Sequence, residues 1–89
     1  MELKIKCNPI NGGYCAIFEH DGHEFYADVC DLCYLGFDLP TECMIFNSSN
    51  GHVTNWHELY CKRAVPVTED GLSACIKEFI KQYDEEKNL

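Results

Sequence analysis

The chain has 89 residues and a mass of 10.2 kDa, with 46% hydrophobic and 25% charged residues; this suits one small domain over 1–89 and excludes a second core and a disordered chain. No apolar run approaches the ~18–20 residues of a membrane-spanning helix, and the start MELKIKCNPINGG has no apolar signal core or small-residue cleavage site, so a cytoplasmic chain is expected. Fifteen acidic residues against seven basic ones give a net charge of −8.

Every basic residue lies toward an end: Lys4, Lys6, Lys62, Arg63, Lys77, Lys81 and Lys87. Between Cys7 and Cys61 there is no Lys or Arg, while Glu19, Asp21, Glu24, Asp28, Asp31, Asp38, Glu42 and Glu58 all fall there. Such a block repels phosphate backbones, which argues against direct DNA or RNA binding, and it attracts basic surfaces. These carboxylates are the candidate partner-binding residues.

In chain order, residues 2–7 read as a first strand with Leu3 and Ile5 on one face, broken by Asn8-Pro9 and Asn11-Gly12-Gly13. Tyr14–His20 and His23–Val29 flank Asp21-Gly22, a two-residue hairpin signature, because a type I′ turn needs positive φ at both central positions. That turn sets His20 opposite His23, Glu19 opposite Glu24, Phe18 opposite Phe25 and Ala16 opposite Ala27. Tyr14, Phe18, Phe25 and Val29 then share a buried face. Cys15, Ile17, Glu19, Glu24, Tyr26 and Asp28 share a half-exposed acidic one.

Leu35-Gly36-Phe37-Asp38-Leu39-Pro40 reads as a loop, and Glu42–Phe46 as a fourth strand ended by Asn47-Ser48-Ser49-Asn50-Gly51. His52–Val65 is ambiguous, part strand with a helical turn at Trp56–Tyr60. Thr68 then caps a helix begun by Glu69 and Asp70. Its Leu72, Cys75, Ile76, Phe79, Ile80 and Tyr83 recur at helical spacing, and the tail from Asp84 to Leu89 frays. The fold class is therefore α+β: an antiparallel sheet of three to five strands covered on one face by a C-terminal amphipathic helix.

Seven cysteines, an odd number without a secretory signal, disfavour a full disulfide framework. Cys30-Asp31-Leu32-Cys33 is a C-x2-C knuckle that needs a second ligand pair to hold zinc. His57 and Cys61 supply it if Trp56–Tyr60 forms a helical turn, which brings ligands four apart to one side. An extended segment separates them, and Cys43 and His52 become the substitutes. His20 and His23 at the hairpin tip are a further candidate pair. Four protein ligands close the coordination shell, so the expected Zn2+ is structural. No G-x-S-x-G, P-loop, G-x-G-x-x-G or H-E-x-x-H motif is present, and an enzyme is not expected.

The segments Glu42-Cys43-Met44-Ile45-Phe46 and Gly51-His52-Val53-Thr54-Asn55-Trp56-His57-Glu58-Leu59-Tyr60-Cys61-Lys62-Arg63 are similar to small phage and prophage proteins of Gram-positive bacteria. The pattern there reads E-T-M-I-F, then G-x-V-T-x-W-x-E-L-Y-x-x-R, followed by an acidic helix. Here Cys43 stands where Thr is usual. With its small size and acidity, the chain resembles the anti-CRISPR proteins. The resemblance implies a non-enzymatic inhibitor of a type II RNA-guided nuclease in the host cytoplasm, one that blocks target DNA loading as a DNA mimic. The alternative is a zinc-stapled phage or prophage adaptor that binds another host or virion protein.

Overall fold

The computed structural model describes residues 3–8, 12–30 and 41–88. Five strands, β1 (Ile5–Asn8), β2 (Gly13–His20), β3 (His23–Cys30), β4 (Glu42–Ser49) and β5 (His52–Arg63), precede one helix, α1 (Glu69–Lys87). The strands form a single antiparallel sheet in sequence order, β1-β2-β3-β4-β5. This is the α+β architecture expected from the sequence.

The β2–β3 hairpin has the predicted turn and register. Asp21 and Gly22 take φ of 54° and 76°, and Phe18 pairs with Phe25, Ala16 with Ala27 and His20 with His23. The same device recurs at Asn50-Gly51, with φ of 53° and 82°. There the sequence reads only the end of a strand, but β4 continues through Ser49 and turns directly into β5. Asn-Gly tolerates positive φ at both positions, so the pair makes a tight hairpin rather than a loop.

Alternation of side chains gives the sheet two faces. One carries Ala16, Phe18, Phe25, Ala27, Val29, Cys43, Ile45 and Tyr60, all buried against Leu72, Cys75, Ile76 and Phe79 of α1. Its centre is an aromatic cluster in which Phe25 and Phe79 meet edge-on at 5.1 Å and Phe18 and Phe25 lie 5.4 Å apart. Leu3, Ile5, Tyr14, Ile80 and Tyr83 pack around it.

Thr68 caps α1 as the sequence predicts, its hydroxyl accepting from the Gly71 backbone N–H at 2.9 Å. Gly71 itself admits no side chain, since a Cβ there lies 2.2 Å from the Pro66 carbonyl. Gly13 is equally constrained, with a Cβ placed 1.8 Å from the Val29 carbonyl oxygen.

β5 corrects the helical-turn expectation: residues 52–63 are strand throughout, with no turn of helix at Trp56–Tyr60. The pairing with β4 shifts between Ile45, opposite Tyr60, and Asn47, opposite Asn55, so β5 inserts extra residues there. A bulge of this kind re-aims side chains. It leaves Trp56 at 73% and Leu59 at 42% exposure.

Candidate partner-binding surface

The β2–β3 turn and the C-terminal end of α1 meet at one end of the molecule. Three contacts tie them. His20 Nε2 lies 2.7 Å from Asp84 Oδ1, Tyr83 donates its hydroxyl to Asp21 at 3.2 Å, and Lys87 Nζ donates to Asp21 at 2.7 Å. The His20 ring also stands edge-on to Tyr83 at 5.6 Å. These contacts hold the helix through Lys87, so the acidic segment read as a fraying tail is helical. They bring Asp84 to His20 and Lys87 to Asp21, and the acids next to these contacts in sequence, Glu19, Glu85 and Glu86, are exposed. The helix acids are the part that sequence reading missed; the run Asp84-Glu85-Glu86 was visible, but its neighbour across the fold was not.

The acidic block, which has no cations of its own, borrows them from the chain ends. Besides Lys87 on Asp21, Arg63 Nε lies 3.6 Å from Glu42 Oε2. Other carboxylates are committed to the fold. Glu24 accepts from the Ser48 hydroxyl at 2.5 Å and from the Gly51 N–H at 3.0 Å, fastening the β4–β5 turn to β3. The Ser48 bond, then those from the turn backbone, hold the Glu24 carboxyl below the usual carboxylate range.

Asp28 behaves oppositely. It lies on the face of the sheet away from α1, between Cys15 on β2 and Met44 on β4. Its Oδ1 is buried without a hydrogen-bond partner. Burial pushes its pKa up to about 6; the Tyr26 hydroxyl, which hydrogen-bonds it, pulls the other way, and the Glu42 charge adds to the rise. Burial, with the Asp28 charge next, raises the Tyr26 phenol well above its ordinary value. Of the predicted partner residues, Glu19, Asp21 and Glu58 are exposed, while Glu24, Asp28 and Glu42 are partly buried. Asp31 and Asp38 lie outside the described residues.

Among the described residues the zinc candidates do not converge. Cys30 ends β3 and Cys61 lies in β5, with β4 running between them. Two strand spacings put them roughly 10 Å apart, beyond the reach of one ion at about 2.3 Å from each sulfur. His57 sits in the bulged, extended part of β5, with its N–H bonded to Asn55 Oδ1 at 2.9 Å. An extended span of four residues sets it on the order of 10 Å from Cys61. Cys43 points into the core, and His52 lies exposed beside the β4–β5 turn. His20 is engaged by Asp84. Cys33 lies outside the described residues. Among the described residues, no three His, Cys, Asp or Glu side chains are grouped to hold a metal.

A groove of about 490 Å³ runs between β1 and α1 and is lined by Leu3, Ile5, Glu69, Asp70, Ser73, Lys77 and Ile80, with neither histidine nor cysteine among them. Among the described residues, no helix is long and apolar enough to cross a membrane. Comparison with protein-family models, with curated proteins and with solved structures found no match.

Proposed function

We propose that this chain is a non-enzymatic protein-binding module that presents carboxylates to a basic, phosphate-binding surface of a partner. The proposed partner is a type II RNA-guided nuclease of a bacterial host. The supporting observation is that the β2–β3 turn and the end of α1 are joined through Asp21 and Asp84, with the exposed Glu19, Glu85 and Glu86 on the same two elements. Such nucleases hold guide and target in a positively charged channel. Carboxylates on a rigid turn and helix end compete there with DNA phosphates, and complementarity of this kind speeds association and makes it salt-sensitive. Rigidity matters because the side chains then lose little freedom on binding.

A structural zinc belongs to the same reading as a separate proposal. Cys33, the partner of Cys30 in the C-x2-C knuckle, lies outside the described residues, and elemental analysis of chelator-free protein tests the site at about one zinc per chain.

The test of the main reading is target cleavage by a panel of guide-loaded type II effectors, with and without the chain. Cleavage falls for the cognate effector and recovers when Glu19, Glu85 and Glu86 are together changed to Gln. Full cleavage across the panel at saturating chain would count against the reading. Full cleavage across the panel, together with binding to another host or virion protein that Trp56→Ala abolishes, favours the second reading, a contact centred on the exposed Trp56 and Leu59 of β5. That surface suits an adaptor for another host or virion protein, because exposed aromatic anchors carry much of the energy of protein contacts.

A further inference from the structure

Among the described residues β1 has a strand on one side only, since it ends the sheet and pairs with β2. Every second residue of such an edge turns its N–H and C=O outward, where another strand can pair with them. Both faces of this edge are grooved. On the α1 side, the groove of about 490 Å³ has an apolar floor of Leu3, Ile5 and Ile80. On the opposite face, a second groove of about 210 Å³ lies over β1 and β2, with Lys4, Lys6, Cys15 and Ile17 in its wall. Charge separates the two. The first carries Glu69 and Asp70 against Lys77, whereas the second carries two exposed lysines and no acid. Lys62, Arg63 and Lys87 are paired with Glu78, Glu42 and Asp21, but Lys4 and Lys6 enter no ion pair among the described residues.

We propose that the free edge of β1 takes an extended segment of a partner protein as a further strand, one whose residues alternate apolar and acidic. Strand addition draws affinity from main-chain hydrogen bonds and specificity from grooves that receive alternate side chains. Residues opposite one another in a sheet share a face. The apolar residues of the added strand therefore lie opposite Leu3, Ile5 and Cys7 and enter the groove beside α1. Its acidic residues lie opposite Lys4 and Lys6. A second copy of this chain does not suit the edge. Symmetric antiparallel pairing centred on Ile5 sets Lys4 against Lys6, and centred on Lys6 it sets that lysine against itself; like charges directly opposite destabilise a sheet. Centring on Cys7 leaves only residues 6–8 of β1 in overlap. The edge is distinct from the acidic turn and helix end, and its occupant does not depend on the partner proposed for them.

Titration of the isotope-labelled chain with the end-blocked peptide Val-Glu-Val-Glu-Val, followed by NMR, tests this directly. That peptide sets its glutamates opposite Lys4 and Lys6 and its valines opposite Leu3, Ile5 and Cys7. The expected result is a set of shifts confined to β1, β2 and residues 73–80 of α1, with slower hydrogen exchange for the outward amides of β1. The rearranged peptide Val-Val-Val-Glu-Glu and the basic peptide Val-Lys-Val-Lys-Val should bind about tenfold more weakly. Lys4→Glu with Lys6→Glu, at two exposed positions that the fold tolerates, should turn the preference toward the basic peptide. Absence of shifts at β1 up to about 5 mM peptide would overturn the proposal. So would shifts centred elsewhere, equal binding of the acidic and basic peptides, or an unchanged preference in the double variant. Concentration-dependent shifts of β1 in the peptide-free chain would overturn it too, because a second copy would then hold the edge.

Discussion

On the helix-covered face of the sheet, Phe18, Phe25, Val29 and Ile45 meet Leu72, Ile76 and Phe79 with no carboxylate among them. One residue further along the same strands, the other face carries Cys15, Tyr26, Asp28 and Glu42, with a carboxylate oxygen buried and unpaired. The strands are common to both faces; only the parity of the residue differs. The covered face supplies the apolar burial that a chain of this size needs. The other carries polar groups that weaken the fold, and such groups persist where something other than stability selects them. The acidic turn end lies outside both, held by contacts between the turn and the helix rather than by the core.

The sharpest way to break this division is Phe25→Ala, which removes the ring that touches Phe18, Phe79 and Tyr83. A loss of about 3–4 kcal/mol is expected in denaturant unfolding, enough to unfold much of a marginal domain.

Asp28→Asn probes the opposite face and should act with the opposite sign. The folded pKa of Asp28 is raised from 3.8 to about 6, so its contribution favours folding at low pH and is lost as pH rises through about 6. At pH 7 the folded state holds an ionised, partly buried carboxylate. The amide removes that cost while still able to pair with the Tyr26 hydroxyl, for a gain of about 2–3 kcal/mol at pH 7. The native chain should become more stable from pH 7 to pH 5 through this group, and the variant should lose that slope. Glu24 works the other way: its lowered pKa stabilises above the ordinary carboxylate range and ceases to do so as pH falls below it.

A smaller effect is expected at the helix start, where Thr68→Ala leaves the Gly71 N–H without its cap and costs about 1 kcal/mol. Smallest of all, Glu85→Gln and Glu86→Gln should leave the unfolding midpoint nearly unchanged. If either shifts it strongly, the acidic end is structural rather than a surface available to a partner.

What was legible from the sequence follows from how local each determinant is. Asp21-Gly22 fixes its own turn, and two strands of matching alternation then have one register, so Phe18 opposite Phe25 could be read directly. Thr68 and the stripe from Leu72 to Tyr83 are likewise local. β5 was less readable because its first half has little core to answer to. From His52 to Leu59 every residue but the half-buried Val53 is exposed. Trp56 and Leu59, three apart, mimic helical spacing, whereas the shift in pairing is what places Trp56 against Phe46 at 5.3 Å and Leu59 beside Tyr83 and Glu86.

The acidic residues were legible as a composition but not as a site. Spacing could not show that Glu24 fastens a turn, that Asp28 is partly buried, or that Lys87 returns to Asp21. The zinc set depended on a helical turn that β5 does not make, and on a knuckle partner, Cys33, that lies outside the described residues.

The most direct measurement is equilibrium binding of the chain to a guide-loaded type II effector, in competition with labelled target DNA, at several salt concentrations. The account predicts that the chain displaces the DNA, that its affinity falls as salt rises, and that Glu19→Gln, Glu85→Gln and Glu86→Gln together weaken it further. Binding that is indifferent to salt and to those substitutions, or DNA that stays bound at saturating chain, would contradict it.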